Sequence, residues 1–360
     1  TALSKTLLRD GQSAALANIP MGLKKLTGLA AGTSSGDAVR WDQLALLSLT
    51  AITNINGGQV AGVRNRLINS CFNIWQRGTS FAVAGTTAVY GPDRFFANSE
   101  GAQACTLSRQ TPSLGLNQYG VRLQRNAGVT GIHPMHLRQI IEGATAMQLR
   151  GQTCTLTATV TLGANFSGTA LNFRVQSGSV VDEGSASLIA GTWTSLLTPL
   201  DVAVAASTVK ARLSRSFEFD PLIKEVAVGI TYTPVGTAGA NDWVQIDDIQ
   251  LEVGNTITMQ EYLPIGTELE LCQRYYETCT HNPLFSGNVT SGENYYHSQA
   301  FAVQKRVAPT VTFSYVGASS FAASAPTGSS ITVTGFNALK LATATNIGFY
   351  QYNWTASAEL

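Results

Sequence analysis

The sequence predicts an all-β protein: an antiparallel β-sandwich, an extended lead-in before it and a smaller β-rich module after it. Three observations predict this class. Between Leu67 and Glu277, short segments of alternating apolar and polar residues are separated by Gly, Ser, Thr, Asn and Pro, the pattern of strands joined by turns. Charged residues make up only 12% of the 360, against roughly a quarter in an average soluble domain, and small polar residues take their place. Helical periodicity is confined to 136–143, which reads equally as a strand, and to 268–279, where Leu269, Leu271, Cys272, Tyr275 and Tyr276 suit a short helix.

Residues 1–65 are read as a lead-in rather than a globular domain. Small apolar steps at Ile19, Met21, Leu26 and Leu29 are broken by Gly and Pro, and Asp37 caps a short stretch carrying Val39, Leu44 and Leu47. A segment this short cannot bury its apolar face within itself. It needs copies of itself or another protein, and a plain linker is the alternative.

The sandwich is assigned to residues 66–281. Its clearest strand is 152–162, where Cys154, Leu156, Ala158, Val160 and Leu162 alternate with threonines that are expected to face water. Leu171, Phe173 and Val175 repeat the pattern, Gly191-Thr-Trp193 is expected to open another strand, and Val226, Val228, Ile230 and Tyr232 continue it. In the segment 242–254, Val244 and Ile246 point one way while Ile249 and Leu251 point the other unless the phase slips. A bulge at Asp247-Asp248 would return all four to the core. The opening segment 67–78 is expected to pair beside this closing one. Residues 282–360 form the last module, with strands around Val311, Phe313 and Tyr315, around Ile331 and Val333, and at the Phe349-Tyr-Gln-Tyr-Asn-Trp354 end.

Several chemistries are disfavoured. A net charge of +1 does not suit a phosphate-binding surface, so no nucleic-acid partner is expected. No apolar run approaches the ~20 residues of a membrane span, and no basic-then-apolar signal pattern opens the sequence, so no membrane insertion is expected. The five cysteines lack CxxC spacing and read as free, mostly buried thiols. His133 and His136 lack the spacing of a helical metal pair. No Gly-x-Ser-x-Gly elbow, phosphate-cradling loop or isolated carboxylate pair points to an enzyme. Binding is what is left. Sugar recognition uses aromatic faces with Asn, Gln, Asp and Arg around them, and the candidates are Tyr295, Tyr296, His297, Tyr350, Tyr352 and Trp354. The same rings could instead fill a core near the tip of the molecule. Trp75, Trp193 and Trp243 are assigned to sandwich packing, and Asp93-Arg94-Phe95-Phe96 to structure, with Arg94 bridging carboxylates.

Several segments resemble one family. Asn69-x-x-Phe72-x-x-Trp75-Gln-Arg-Gly78, Gly91-Pro-Asp-Arg-Phe95, Asp247-Asp-x-Gln-Leu-Glu-Val-Gly254 and Glu270-Leu-Cys-Gln-Arg-Tyr-Tyr-Glu277 resemble the jelly-roll domain of bacteriophage tail-fibre and receptor-binding proteins. The Lys305-Arg-x-x-Pro-Thr310 stretch and the Trp354-Thr-Ala-x-Ala-Glu359 ending resemble their C-terminal parts. Asp10-Gly-Gln-Ser13, Pro20-Met-Gly22, Lys25-Leu-Thr-Gly-Leu-Ala30 and Asp37-Ala-Val39 look like the stalk repeat of such fibres, with Pro20 where Asn is expected and no Pro after Ala30. The resemblance implies a homotrimer whose residues 1–65 dock on other tail proteins, a virion-tail location after synthesis in a host cytoplasm, and adhesion to a bacterial surface glycan. It requires no cofactor. Carbohydrate-binding jelly rolls often hold a structural Ca²⁺ through such an aspartate, which would place the ion at Asp247, Asp248 and Asn69. Pairing of the two aspartates with Arg66, Arg77 or Arg94 is the alternative. A purely structural tail component is the second functional reading, and a glycan-degrading tailspike enzyme the third.

Overall fold

The structure, a computed structural model, describes residues 30–34, 42, 63–112, 117–279 and 281–360. The chain divides into two compact units, Thr1–Asn54 and Ile55–Leu360, and the architecture that follows belongs to the second. The stalk positions Ile19, Met21, Leu26, Leu29, Val39 and Leu44 lie outside the described residues.

Twelve strands build the sandwich. The first six are β1 (Ser80–Ala84), β2 (Val89–Tyr90), β3 (Phe95–Ser99), β4 (Ala104–Gln110), β5 (Gly120–Arg125) and β6 (Met135–Ile141). The others are β7 (Thr153–Leu162), β8 (Gly168–Gly178), β9 (Leu197–Val204), β10 (Ala211–Glu218), β11 (Glu225–Pro234) and β12 (Trp243–Val253). They form two six-stranded antiparallel sheets, in the orders β1-β4-β5-β12-β7-β10 and β2-β3-β6-β11-β8-β9. The inward-facing alternate residues make one core: Leu156, Ala158 and Val160 from β7, Phe173 from β8, Val228 and Ile230 from β11, and Val244 and Leu251 from β12. Burying each of the larger ones contributes roughly 1.5–3 kcal/mol.

The phase slip in β12 is real. Its register against β7 shifts between Ile246 and Asp248, and Val244, Ile246, Ile249 and Leu251 are all buried. Along β12, β5 pairs with Trp243 to Ile246 and no further. Beyond the bulge the opening segment takes over that side of β12, with Arg66 N donating to Leu251 O and Ile249 N to Ser70 O, both at 2.9 Å. The two segments are therefore neighbours, but the opening one is a chain of turns instead of the expected strand. Asn69 and Phe72 hold φ of 56° and 54°, a left-handed conformation that no strand accommodates. The Asn69 side chain compensates by accepting from Ile74 N at 2.9 Å and donating to Ile74 O and Asp93 O.

Three further expectations are corrected. The outer face of β7 is not a solvated threonine ladder, because Thr155 and Thr157 are buried. Residues 255–262 fold back on the neighbouring β12, where Thr258 N donates to Glu252 Oε1 at 3.0 Å and Glu261 N to Gln250 Oε1 at 2.9 Å, and Thr155 Oγ1 donates to Gly254 O at 2.7 Å. The ambiguous stretch near His136 is a strand, β6, followed by a short α1 (Gly143–Ala146). Trp193 does not open a strand. It sits in a turn between α2 (Ser185–Ile189) and β9, with its indole N–H donating to Gly184 O at 3.2 Å. The helix expected over 268–279 is shifted and shorter: α3 spans Ile265–Gln273, and Tyr276–Thr278 is already a strand.

The C-terminal module contains β13 (Tyr276–Thr278), β14 (Leu284–Val289), β15 (Asn294–Ala300), β16 (Thr310–Ser319), β17 (Thr327–Ser329), β18 (Gly335–Leu341) and β19 (Asn346–Ser357). β19 pairs with β13, β14 and β16, and a second small sheet runs β15-β18-β17. Between them lies an aromatic core of Phe301, Phe321, Phe336, Tyr350, Tyr352 and Trp354. The end of the chain returns to the sandwich. Glu359 pairs with Arg94 and, at 2.8 Å, with Arg77, and Leu360 is buried against Phe96, Ile140, Leu188, Trp193 and Ala227.

Candidate glycan-binding face

The outer face of the second sheet carries a polar array that the alternation of five strands places in two rows. One row runs Phe96, Arg138, Gly229, Arg174 and Asp201 across β3, β6, β11, β8 and β9. The next runs Asn98, His136, Thr231, Asn172 and Ala203. Gly229 is where the backbones crowd most closely: a Cβ there would stand 1.9 Å from Leu137 O. The row therefore has no side chain between its two arginines.

Arg138 is only 4% exposed. Its guanidinium donates to Asn98 Oδ1 at 2.7 Å and to Gln176 Oε1 at 3.0 Å, and burial, with the Arg174 charge nearby, pushes its pKa down to about 9. It stays charged at neutral pH. His136 is 1% exposed, and burial pushes its pKa down to about 4. Its Nε2 lies 2.9 Å from Glu100 Oε1. A carboxylate partner on Nε2 fixes the Nε2–H tautomer and leaves Nδ1 with a bare lone pair. The hydrogen bond from His136 holds the Glu100 carboxyl below its ordinary value. At the open side, Asp201 accepts from Asn172 at 2.7 Å and lies 3.6 Å from Arg174.

Four buried atoms of this array have no hydrogen-bond partner among the described residues: Arg138 Nε, Arg174 Nε, Asn98 Nδ2 and His136 Nδ1. An unmet buried polar group costs about 1–3 kcal/mol. The array thus holds three unmet donors and one unmet acceptor, with the partly exposed side chains of Arg174, Asp201 and Glu100 at its rim.

The aromatic residues singled out from the sequence divide. Tyr350, Tyr352 and Trp354 are core, not surface: Tyr350 Oη donates to Ala338 O at 2.9 Å, and all three rings pack against Phe301, Phe313, Phe321 or Phe336. Tyr295 packs in the same cluster, on Phe285 and Phe321. His297 is 3.2 Å from Tyr352 Oη. Tyr296 points out and is 53% exposed. Of the tryptophans assigned to sandwich packing, Trp193 is buried, Trp75 packs against the sandwich core, and Trp243 lies half-buried under Arg122, 3.9 Å from its ring.

The ion site implied at Asp247, Asp248 and Asn69 does not assemble into one donor set. The Asn69 amide is spent on Ile74 and Asp93. Lys210 meets Asp247, and Arg212 meets Asp248 at 2.8 Å. Arg77 and Arg94 pair elsewhere, with Glu359. Among the described residues no group of three or more His, Cys, Asp or Glu is placed to hold a metal ion, and no helix is long and apolar enough to cross a membrane.

No protein-family model matches the chain, and no curated protein does. Distant likenesses exist among solved structures. One is the enzymatically active domain of tailspike protein 4 of bacteriophage CBA120, at 9% identity and a TM-score of 0.32, over 52% of this chain and 21% of that one. Another is the CBM22-1 xylan-binding domain of Paenibacillus barcinonensis Xyn10C, at 9% identity and 0.33, over 55% of this chain and all of that one. A third is a sugar-binding protein, described as such without proof, from Bacteroides thetaiotaomicron, at 13% identity and 0.31, over 53% and 100%. The chain spans about a fifth of the tailspike domain it matches. Likenesses at these scores decide neither a family nor a ligand.

Proposed function

We propose that this chain is a phage tail-fibre adhesin that binds a bacterial surface glycan through the outer face of its second sheet. The observation that carries the reading is the array of Asn98, His136, Arg138, Asn172, Arg174 and Gln176, a set of hydrogen-bonding side chains suited to sugar hydroxyls, with buried members left unpaired. The sandwich is read as a jelly roll of the carbohydrate-binding kind, non-catalytic, with residues 1–65 docking on other tail proteins. Three copies on one fibre would raise avidity without a tight single site. Tyr296, with Tyr295 and His297 behind it, is offered as a second contact, and Tyr350, Tyr352 and Trp354 hold it from the core.

A second reading, a purely structural fibre component, has its own support. The outer face of the β13-β19-β14 sheet exposes Leu284, Ile347 and Phe349 among Ser286, Asn288, Gln351 and Asn353, and carries no charged residue. That composition suits packing against another copy or another virion protein. The test is fluorescence-labelled full chain on a panel of host cells and surface-polysaccharide mutants, with its mass taken by light scattering. Saturable staining by a trimer, lost in the mutants, supports the adhesin. A folded trimer that stains nothing moves the chain to the structural role.

A further inference from the structure

We propose that the array on the second sheet binds an acidic sugar, its carboxylate lodging between Arg138, Arg174 and His136 where the Glu100 carboxylate now reaches. The inference rests on the glycan-adhesion reading above and adds to it the class of sugar.

Three features point to a hydroxylated acid rather than to a neutral sugar or a bare anion. Two guanidinium groups converge on one bare backbone position, Gly229, with Arg138 almost wholly buried. Buried cations need an anion beside them. Arg174 has Asp201 at 3.6 Å, and the anion that acts on Arg138 is Glu100, which follows the last residue of β3, is 48% exposed, and bonds His136 at 2.9 Å. It is the chain's own carboxylate sitting on a site that a ligand's carboxylate would satisfy equally, and an exposed side chain at a strand end is free to swing out. A neutral sugar that displaced it would strip the arginines of that charge.

The leftover bonding capacity completes the match. Arg138 Nε, Arg174 Nε and Asn98 Nδ2 are donors without an acceptor, and His136 Nδ1 is an acceptor without a donor. A carboxylate alone, or an inorganic anion, leaves the imidazole lone pair unmet. A uronic acid carries carboxylate, ring oxygen and hydroxyls on one six-membered ring, and so offers both acceptors and donors to these unmet groups.

The test follows the Arg138 Nε–Hε resonance of the full chain, assigned through Arg138→Lys, during titration with sodium D-glucuronate, D-glucose, sodium phosphate and sodium chloride. A saturable shift with glucuronate alone is expected. Arg174→Gln should weaken it about tenfold or more, and Glu100→Gln, which removes the resident competitor, should tighten it by roughly tenfold, some 1.4 kcal/mol. No shift with glucuronate, an equal shift with phosphate or chloride, or no tightening in Glu100→Gln overturns the proposal. Cell staining separates this failure from that of the reading beneath it. Host staining that survives the double change Arg138→Gln, Arg174→Gln sinks the acidic-sugar site and leaves the adhesin standing, whereas wild-type chain that stains no host sinks both.

Discussion

Glu359 is the most informative residue to remove. It neutralises Arg94, which is buried, stacks its guanidinium 3.5 Å from the Tyr275 ring centre, and donates to the Ile140 carbonyl. It also takes Arg77 at 2.8 Å, whose guanidinium lies 3.6 Å over Tyr276. Glu359→Ala leaves one guanidinium buried without its counter-ion, a change that typically costs about 3–5 kcal/mol. Glu359→Gln keeps the shape, but its single amide oxygen can stand in for only one of the two carboxylate oxygens, so one arginine loses its acceptor. It should cost roughly half as much as Glu359→Ala, since a bond to a charged group is worth about 1.5–3 kcal/mol. Because the pair joins the chain's end to the sandwich, amides of β19 should lose hydrogen-exchange protection before those of β7. The double change Glu359→Ala, Arg94→Met should recover part of the loss, since the stranded charge goes with its partner. Urea unfolding of these proteins, with Arg94→Met alone to complete the cycle, measures the coupling. A cost below about 1 kcal/mol for Glu359→Ala, or no recovery in the double variant, would refute the view that this ion pair pins the two parts together.

Other perturbations have equally definite outcomes. Asp242 accepts from Arg125 Nε at 2.9 Å, Ser167 N at 2.9 Å and Ser167 Oγ at 2.7 Å, and both charges are fully buried, so Asp242→Ala should cost about 3–5 kcal/mol in urea unfolding. Burial, aided by Asp182 and Glu183, pushes the Glu225 carboxyl up to about 8. A folded-state value above the unfolded one means the native protein holds the extra proton between about pH 4.5 and 8. Glu225 therefore favours folding fully below that window and progressively less as pH rises through it, and Glu225→Gln should flatten the decline of Tm with pH. Tyr352→Ala should destabilise the module by about 3–5 kcal/mol, whereas Tyr296→Ala should leave Tm within a degree or two and show itself, if anywhere, in host-cell staining.

How far the sequence reached depended on whether the deciding contacts were local. The bulge at Asp247-Asp248 was legible because four apolar residues out of phase have one cheap remedy. Leu171, Phe173 and Val175 were legible by alternation, and the same rule places Asn172, Arg174 and Gln176 on the outer face. The other half of the polar array was hidden. His136 and Arg138 lie in a stretch whose period reads as helix or strand, and only the strand puts both on one side. Thr155 and Thr157 look solvated because hydroxyls usually are, and nothing within β7 announces that their register partners Glu252 and Gln250 are engaged by a fold-back at 255–262. Tyr350, Tyr352 and Trp354 recur at every second position with Gln351 and Asn353 between, so alternation alone marks them as core. The affinity of aromatic rings for sugars suggested a surface, and packing decided otherwise. Arg94 was expected to bridge carboxylates, but its partner, Glu359, lies 265 residues away, beyond any local pattern.

The strand order carries a consequence for how the protein is made. β11 joins β6 to β8 in one sheet, and β12 joins β5 to β7 in the other. These two strands are consecutive in the chain and follow all the rest of the sandwich. Before they emerge from the ribosome, β1 to β6 and β7 to β10 are two separate half-sandwiches, and each exposes two long unsatisfied edges. Such edges are templates for pairing with the wrong chain, and closing them needs contacts between residues far apart in sequence, which form slowly. Residues 225–253 act as a keystone. A nascent chain stopped short of them should be prone to aggregation, and its neighbours on a polysome would carry the same open edges at the same moment.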